Sequence, residues 1–163
     1  MRLKKLVLLG ATLLAAISAG GTPVSPATAK RAAQNWVKLS PRPLGENVGQ
    51  TAANVVSGID TNGAALFHVV RMQEGGFVVT SADDDVDPIV AFSENGDGGS
   101  ATNQASPLYA WLQHDMRLRS SLSKKITYSA KGNTNTVSRT SRQRWAELLD
   151  TRSEEHTSEL QSR

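Results

Sequence analysis

GGFVVTSADDDVDPIVAFSENG, residues 75–96, decides how the rest of the chain folds. A Gly75-Gly76 pair opens it, and Phe77-Val78-Val79-Thr80-Ser81 follows as a short run rich in β-branched residues. Four aspartates then fall within five positions (Asp83, Asp84, Asp85 and Asp87), before Pro88 to Phe92 gives a second strand pattern that ends in a glycine turn. Upstream, Ala65 to Met72 (ALFHVVRM) is apolar and β-branched enough for an interior strand. Gln73-Glu74-Gly75-Gly76 returns the chain tightly, so the two runs should pair as an antiparallel hairpin. Further back, Asn54 to Ile59 is a weaker strand pattern, joined to Ala65 through the turn Asp60-Thr61-Asn62-Gly63.

Helical signals flank these strands. Ser25 and Pro26 are suited to an N-cap and a first helical residue, with Ala29, Ala32, Ala33, Trp36 and Val37 on one face behind them. Ser40-Pro41-Arg42-Pro43 stops that helix, because proline lacks a backbone donor and disfavours helical geometry in the residue before it. Ser106-Pro107 repeats the start signal, and Leu108, Trp111, Leu112, Met116, Leu118 and Leu122 predict an amphipathic helix of about four turns. Between strand and helix, Ser93 to Ser100 is glycine-rich without an apolar anchor and is expected to be an exposed, mobile loop. Lys124 to Ser129 is expected as an edge strand or extended segment, and Lys131 to Gln143 as polar linker. Trp145 to Leu149 starts a new apolar element expected to lack a partner within this chain. The fold class that results is α+β: an antiparallel sheet of about four strands packed by two amphipathic helices.

The two ends carry different signals. Met1-Arg2-Leu3-Lys4-Lys5 precedes an apolar run from Leu6 to Ala19, about 14 residues against the roughly 20 that span a bilayer. Residues 1–19 therefore predict a secretory signal peptide and an exported product, extracellular or periplasmic. Cleavage at Ala27-Thr28-Ala29 would behead the Pro26 helix, which favours a cut near Ala19. Arg152 to Ser162 (RSEEHTSELQS) resembles the translation of a sequencing-library adapter, so residues 152–163 are set aside and the natural chain is expected to continue past Thr151. Without both ends, 13 basic and 12 acidic residues remain of the 18 and 15 in the chain, a net charge of about +1 that supports no nucleic-acid footprint. There is no cysteine, hence neither a disulfide framework nor a thiolate nucleophile in these residues.

Three chemical constellations compete for function. Asp83, Asp85, Asp87 and Glu94 occupy positions one, three, five and twelve of a calcium loop, but Pro88 stands where such a loop requires glycine. An acidic turn between strands, its carboxylates accepting bonds from nearby amides, fits the pattern better. Ser81, His68 and an aspartate suggest a hydrolase triad, yet no nucleophile elbow surrounds Ser81, and a histidine in an apolar strand is more often a satisfied core residue than a base. His114, between Gln113 and Asp115, is expected at the helix edge. Lys124, Lys125, Lys131, Arg139, Arg142 and Arg144 form a basic run without interleaved aromatics apart from Tyr128, better suited to a solvated, protease-sensitive linker than to nucleic acid. No metal, cofactor or catalytic residue is expected.

Gly75, Gly76, Phe77, Ser81, Asp83, Asp84 and Pro88, within Gly75–Asp84 and Pro88–Ser93, closely resemble the core motif of the Spi domain, the inhibitory pro-segment of streptopain-type cysteine peptidases. The likeness extends back through Ala65–Val70 to Ala32-Ala33-Gln34-Asn35-Trp36 and forward to the Trp111 helix. It implies a structural role for the aspartates and a papain-like catalytic domain as partner, in cis within a zymogen or in trans for a free-standing secreted inhibitor. On this view residues 25–122 are the inhibitory domain, 123–144 a linker with processing sites, and 145–151 the start of a catalytic domain absent from this chain. The loop bearing Ser93, Glu94, Asn95, Gly96, Asn103 and Gln104 is expected to face the peptidase cleft.

Overall fold

The computed structural model describes the backbone of residues 21–130 and 140–150, and the side chains of 21–123 and 140–150. The expected signal peptide, the adapter-like tail and residues 131–139 of the expected linker lie outside the described residues.

Four strands, β1 (Ala52–Ile59), β2 (Ala65–Met72), β3 (Phe77–Ser81) and β4 (Ile89–Ser93), form one sheet in the order β1-β2-β3-β4, each antiparallel to its neighbour. Helix α1 (Pro26–Leu39) covers one face and α3 (Pro107–Ala130) the other, with the one-turn α2 (Gly99–Thr102) beside α3 and α4 (Ser141–Leu149) against α1. The α+β class is therefore that expected from the sequence.

Strand alternation divides the core. Phe67, Val69 and Val79 point towards α3 and meet Tyr109, Leu112, Met116 and Ala101, while Val70, Met72 and Val78 point towards Ala33 and Val37 of α1. Ser25 caps α1 by accepting from the Thr28 amide at 3.1 Å, as the Ser-Pro signal predicts. In the first turn of α3, the Tyr109 hydroxyl sits 3.1 Å from both the amide and the carbonyl of Ile59, tying the start of the helix to the end of β1.

Several expectations are corrected. Lys124–Ser129 continues α3, which spans 24 residues, instead of forming an edge strand. No glycine or proline interrupts the chain from Leu108 to Ala130, and a nucleated helix adds residues more readily than a new strand can start without a neighbour. Ser93–Ser100 is anchored, contrary to expectation: Ala101 is fully buried, and a Cβ on Gly98 would lie 2.7 Å from Val69 and 3.2 Å from Phe77. The largest correction concerns the expected linker and the apolar element after it. Thr140 caps α4 in a reciprocal capping box with Gln143, and Trp145 and Leu148 are buried against Val24, Ala29 and Ala32. The segment expected to lack a partner packs on the domain, because the alanines of α1 leave room for an indole.

Candidate functional site

The aspartate turn begins at the end of β3. Ser81 Oγ accepts from the Asp83 amide and donates to the Asp83 carbonyl, both at 2.9 Å, and Asp83 Oδ1 accepts from the Asp85 amide at 3.0 Å. Val86 is buried in the α3-side core, and the Val86 amide donates to the Asp83 carbonyl at 3.1 Å. The chain before α1 runs alongside: the Val24 amide donates to the Ala82 carbonyl at 2.9 Å, and the Thr22 amide to Asp84 Oδ1 at 2.6 Å.

Helix α4 supplies the remaining partners. Arg142 Nε reaches Asp85 Oδ1 at 2.7 Å and Asp84 Oδ1 at 3.5 Å, and Arg144 Nη1 reaches Asp87 Oδ2 at 2.6 Å. Ser141 Oγ donates to Asp87 Oδ1 at 3.0 Å, and the Trp145 indole N–H to the Val86 carbonyl at 2.9 Å. The hydrogen bond to Asp85 and the nearby charge of Asp84 raise the already high pKa of Arg142. Negative charge at the start of α4 also complements the helix dipole. Two arginines of the expected solvated basic run are thus paired with acids. Thr140-x-x-Gln143 was a visible capping-box signal, but its acidic receptor lies more than fifty residues away in sequence.

Asp83, Asp84 and Asp85 could bring ligand atoms within 4.8 Å of one another around a metal ion. In this arrangement those carboxylates accept from the Asp85 amide, the Thr22 amide and Arg142. Ser81 and His68 are not brought together. Ser81 pairs across the sheet with Phe67, and His68 with Thr80, so adjacent positions on each strand send the two side chains to opposite faces. His68 is buried; His68 Nε2 donates to the Val24 carbonyl at 2.8 Å, leaving Nδ1 to accept from the Ser57 hydroxyl at 2.9 Å. Burial lowers the His68 pKa, and the Val24 bond opposes this only partly. This is a satisfied core imidazole joining β1, β2 and the segment before α1. His114 is exposed on α3.

The Ser93–Gln104 segment rests on the Gly-Gly hairpin. Gly76, at φ +81°, donates to the Gly96 carbonyl at 3.0 Å and accepts from the Met72 amide at 3.1 Å. Glu94 Oε2 accepts from the Asn47 amide at 2.7 Å, while the Glu94 amide donates to Glu46 at 3.2 Å. Ser93 Oγ accepts from the Asn95 amide, and Asn103 Oδ1 from the Ala105 amide. Asn95, Gly96, Asn103 and Gln104 are exposed, whereas Ser93 and Glu94 are half-buried. An exposed rim is therefore held from below by buried anchors. On α3, Leu108, Trp111, Leu118 and Leu122 form a second exposed feature, an apolar stripe beside the buried Tyr109–Leu112–Met116 face, with Trp111 56 % exposed.

Among the described residues, no helix is long and apolar enough to cross a membrane. No curated protein and no solved structure matches the chain. The family model of the Spi protease inhibitor matches residues 21–117, a stretch that runs from the Thr22–Asp84 pairing through all four strands to the first half of α3, and the chain belongs to that family.

Proposed function

We propose that this domain is the exported inhibitory pro-segment of a streptopain-like cysteine peptidase zymogen, which holds a papain-like catalytic domain inactive until proteolysis separates the two. Membership of the Spi protease inhibitor family carries the reading. The signal-like N-terminus supports export, and the absence of cysteine from the sequence fits a domain that acts by binding. We place processing within 131–139, between α3 and α4, since the helical chain on either side resists a protease. Attachment strengthens such inhibition, because a short tether gives an effective concentration on the order of millimolar.

The inhibitory contact is assigned to the rim bearing Ser93, Glu94, Asn95, Gly96, Asn103 and Gln104. A loop pinned at Glu94, Gly98 and Ala101 loses little freedom on binding, which favours affinity. The α3 stripe would widen the same interface. The purified chain, titrated into an active streptopain-like peptidase, should suppress peptide cleavage saturably. Asn95→Ala with Gln104→Ala, both exposed, should weaken that effect at unchanged thermal stability. Absence of inhibition by the folded chain overturns the proposal.

A further inference from the structure

We propose that the Asp83–Asp87 turn and the alanine face of α1 form a binding site for a capped, basic, tryptophan-bearing helix, which α4 occupies without needing its covalent connection. The chain cut between Ala130 and Thr140 therefore keeps its C-terminal piece. The consequence for release rests on the inhibitory reading given above; the binding itself does not.

The site has the composition of an interface. Its anchor is Trp145, 3 % exposed, seated with Leu148 against Val24, Ala29 and Ala32 and flanked by Trp36 and Ile89. Both alanines are completely buried, so the helices approach closely where a larger side chain would hold them apart. Around the anchor lie directional contacts: Trp145 to the Val86 carbonyl, Ser141 and Arg144 to Asp87, Arg142 to Asp85, and Asn35 Nδ2 to the Leu148 carbonyl at 2.7 Å. A buried aromatic ringed by polar contacts is the arrangement that concentrates binding energy at protein interfaces. The helix brings its own N-cap, with Thr140 Oγ1 accepting from the Gln143 amide and Gln143 Oε1 from the Thr140 amide, so less order has to be gained on docking. All of these residues of α4 lie beyond the stretch matched by the family model, while their receptor lies within it.

Magnitudes assign the roles. Arg142 and Arg144 are about half exposed, and such ion pairs are worth about twofold to fivefold each in affinity. Removing a buried tryptophan is worth at least about 100-fold. The indole holds the helix, and the aspartates orient it and select its basic end. In the proposed zymogen, a cut in 131–139 would leave the two pieces associated, and separation would need a further event such as removal of α4 itself.

The test is to insert a site-specific protease site into 131–139 of the full chain, cut it, and follow both pieces by size-exclusion chromatography. A chain concentration of about 100 µM, a tenth of the millimolar value for a short tether, is suitable. Most of the C-terminal piece should co-elute with the domain. Trp145→Ala should abolish co-elution, Asp85→Asn with Asp87→Asn should weaken it about fivefold or more, and 1 M salt should act in the same direction. Separation of the wild-type pieces, or loss of the native circular dichroism on cutting, overturns the proposal, since either shows that the covalent connection held the helix. Co-elution unaffected by Trp145→Ala overturns it too. No peptidase enters this measurement, so retention without inhibition would discard the pro-segment reading and leave the binding site standing.

Discussion

Gly76→Ala is expected to destabilise the fold by about 2–5 kcal/mol, and the structure supplies its own control. Gly76 and Gly63 share φ +81°, a left-handed conformation that costs an L-residue about 1–2 kcal/mol. They differ in what surrounds them. A Cβ at Gly76 would lie 2.4 Å from the Ser93 carbonyl oxygen and 3.1 Å from Glu94 Cα, whereas at Gly63 nothing lies within 4 Å. The obstacle at Gly76 is backbone and cannot swing aside as a side chain would; moving it disturbs the 3.0 Å bond from Gly76 to Gly96 and the seat of the Ser93–Gln104 rim. Overpacking of this kind costs about 1–3 kcal/mol. Gly63→Ala should therefore cost about 1–2 kcal/mol, and Gly76→Ala should exceed it by that overpacking term. Urea unfolding of the two variants and the parent, with equal slopes, measures the difference directly. Equal losses would refute the reasoning, because they would leave only backbone strain and no close approach between hairpin and loop.

Acid should weaken the fold through His68. Its lowered folded-state pKa means that the unfolded chain binds the extra proton first, so the contribution is complete above the ordinary value of about 6.5 and declines as pH falls below it, by at most about 1.4 kcal/mol per pH unit. Stability measured between pH 7.5 and 5 should show this slope, and His68→Gln should flatten it; an unchanged slope assigns the effect elsewhere. Thr80 is fully buried, and its Oγ1 has no hydrogen-bond partner among the described residues. Thr80→Val should raise stability by about 1 kcal/mol in the same urea assay, and a loss would mean that the hydroxyl is satisfied. Calcium should leave the melting temperature unchanged, since Arg142 already engages Asp84 and Asp85; a saturable rise would restore the aspartates as ligands.

Most of the sheet was legible because its signals are local. β-branched runs bounded by Gly-Gly and Asn-Gly turns delimit β2 and β3, and two Ser-Pro pairs announce α1 and α3. Misread segments depend on what lies across the fold. Ala101 is a single methyl in a polar loop, and no periodicity discloses that it fills a hole beside Val69. Lys124–Ser129 has a strand-like composition, but helix continuation from Met116 overrides it. The aspartates suggested a turn correctly; that they also receive Arg142 and Arg144 is a tertiary fact, visible only once α1 has placed its alanines under Trp145. At the rim, the exposed asparagines could be named from sequence, whereas the anchoring by Glu46 and Asn47 could not.

A sheet whose spatial order repeats its chain order has a consequence for biosynthesis. Each ladder joins a strand to the one translated just before it, so the four can zip together sequentially without waiting for distant chain, and such short-range closure is fast. The bond from Asn35 to Leu148 spans 113 positions and must come late. In the proposed zymogen the restraining part would thus be folded before its target has left the ribosome, and the target would never be free to act during its own synthesis.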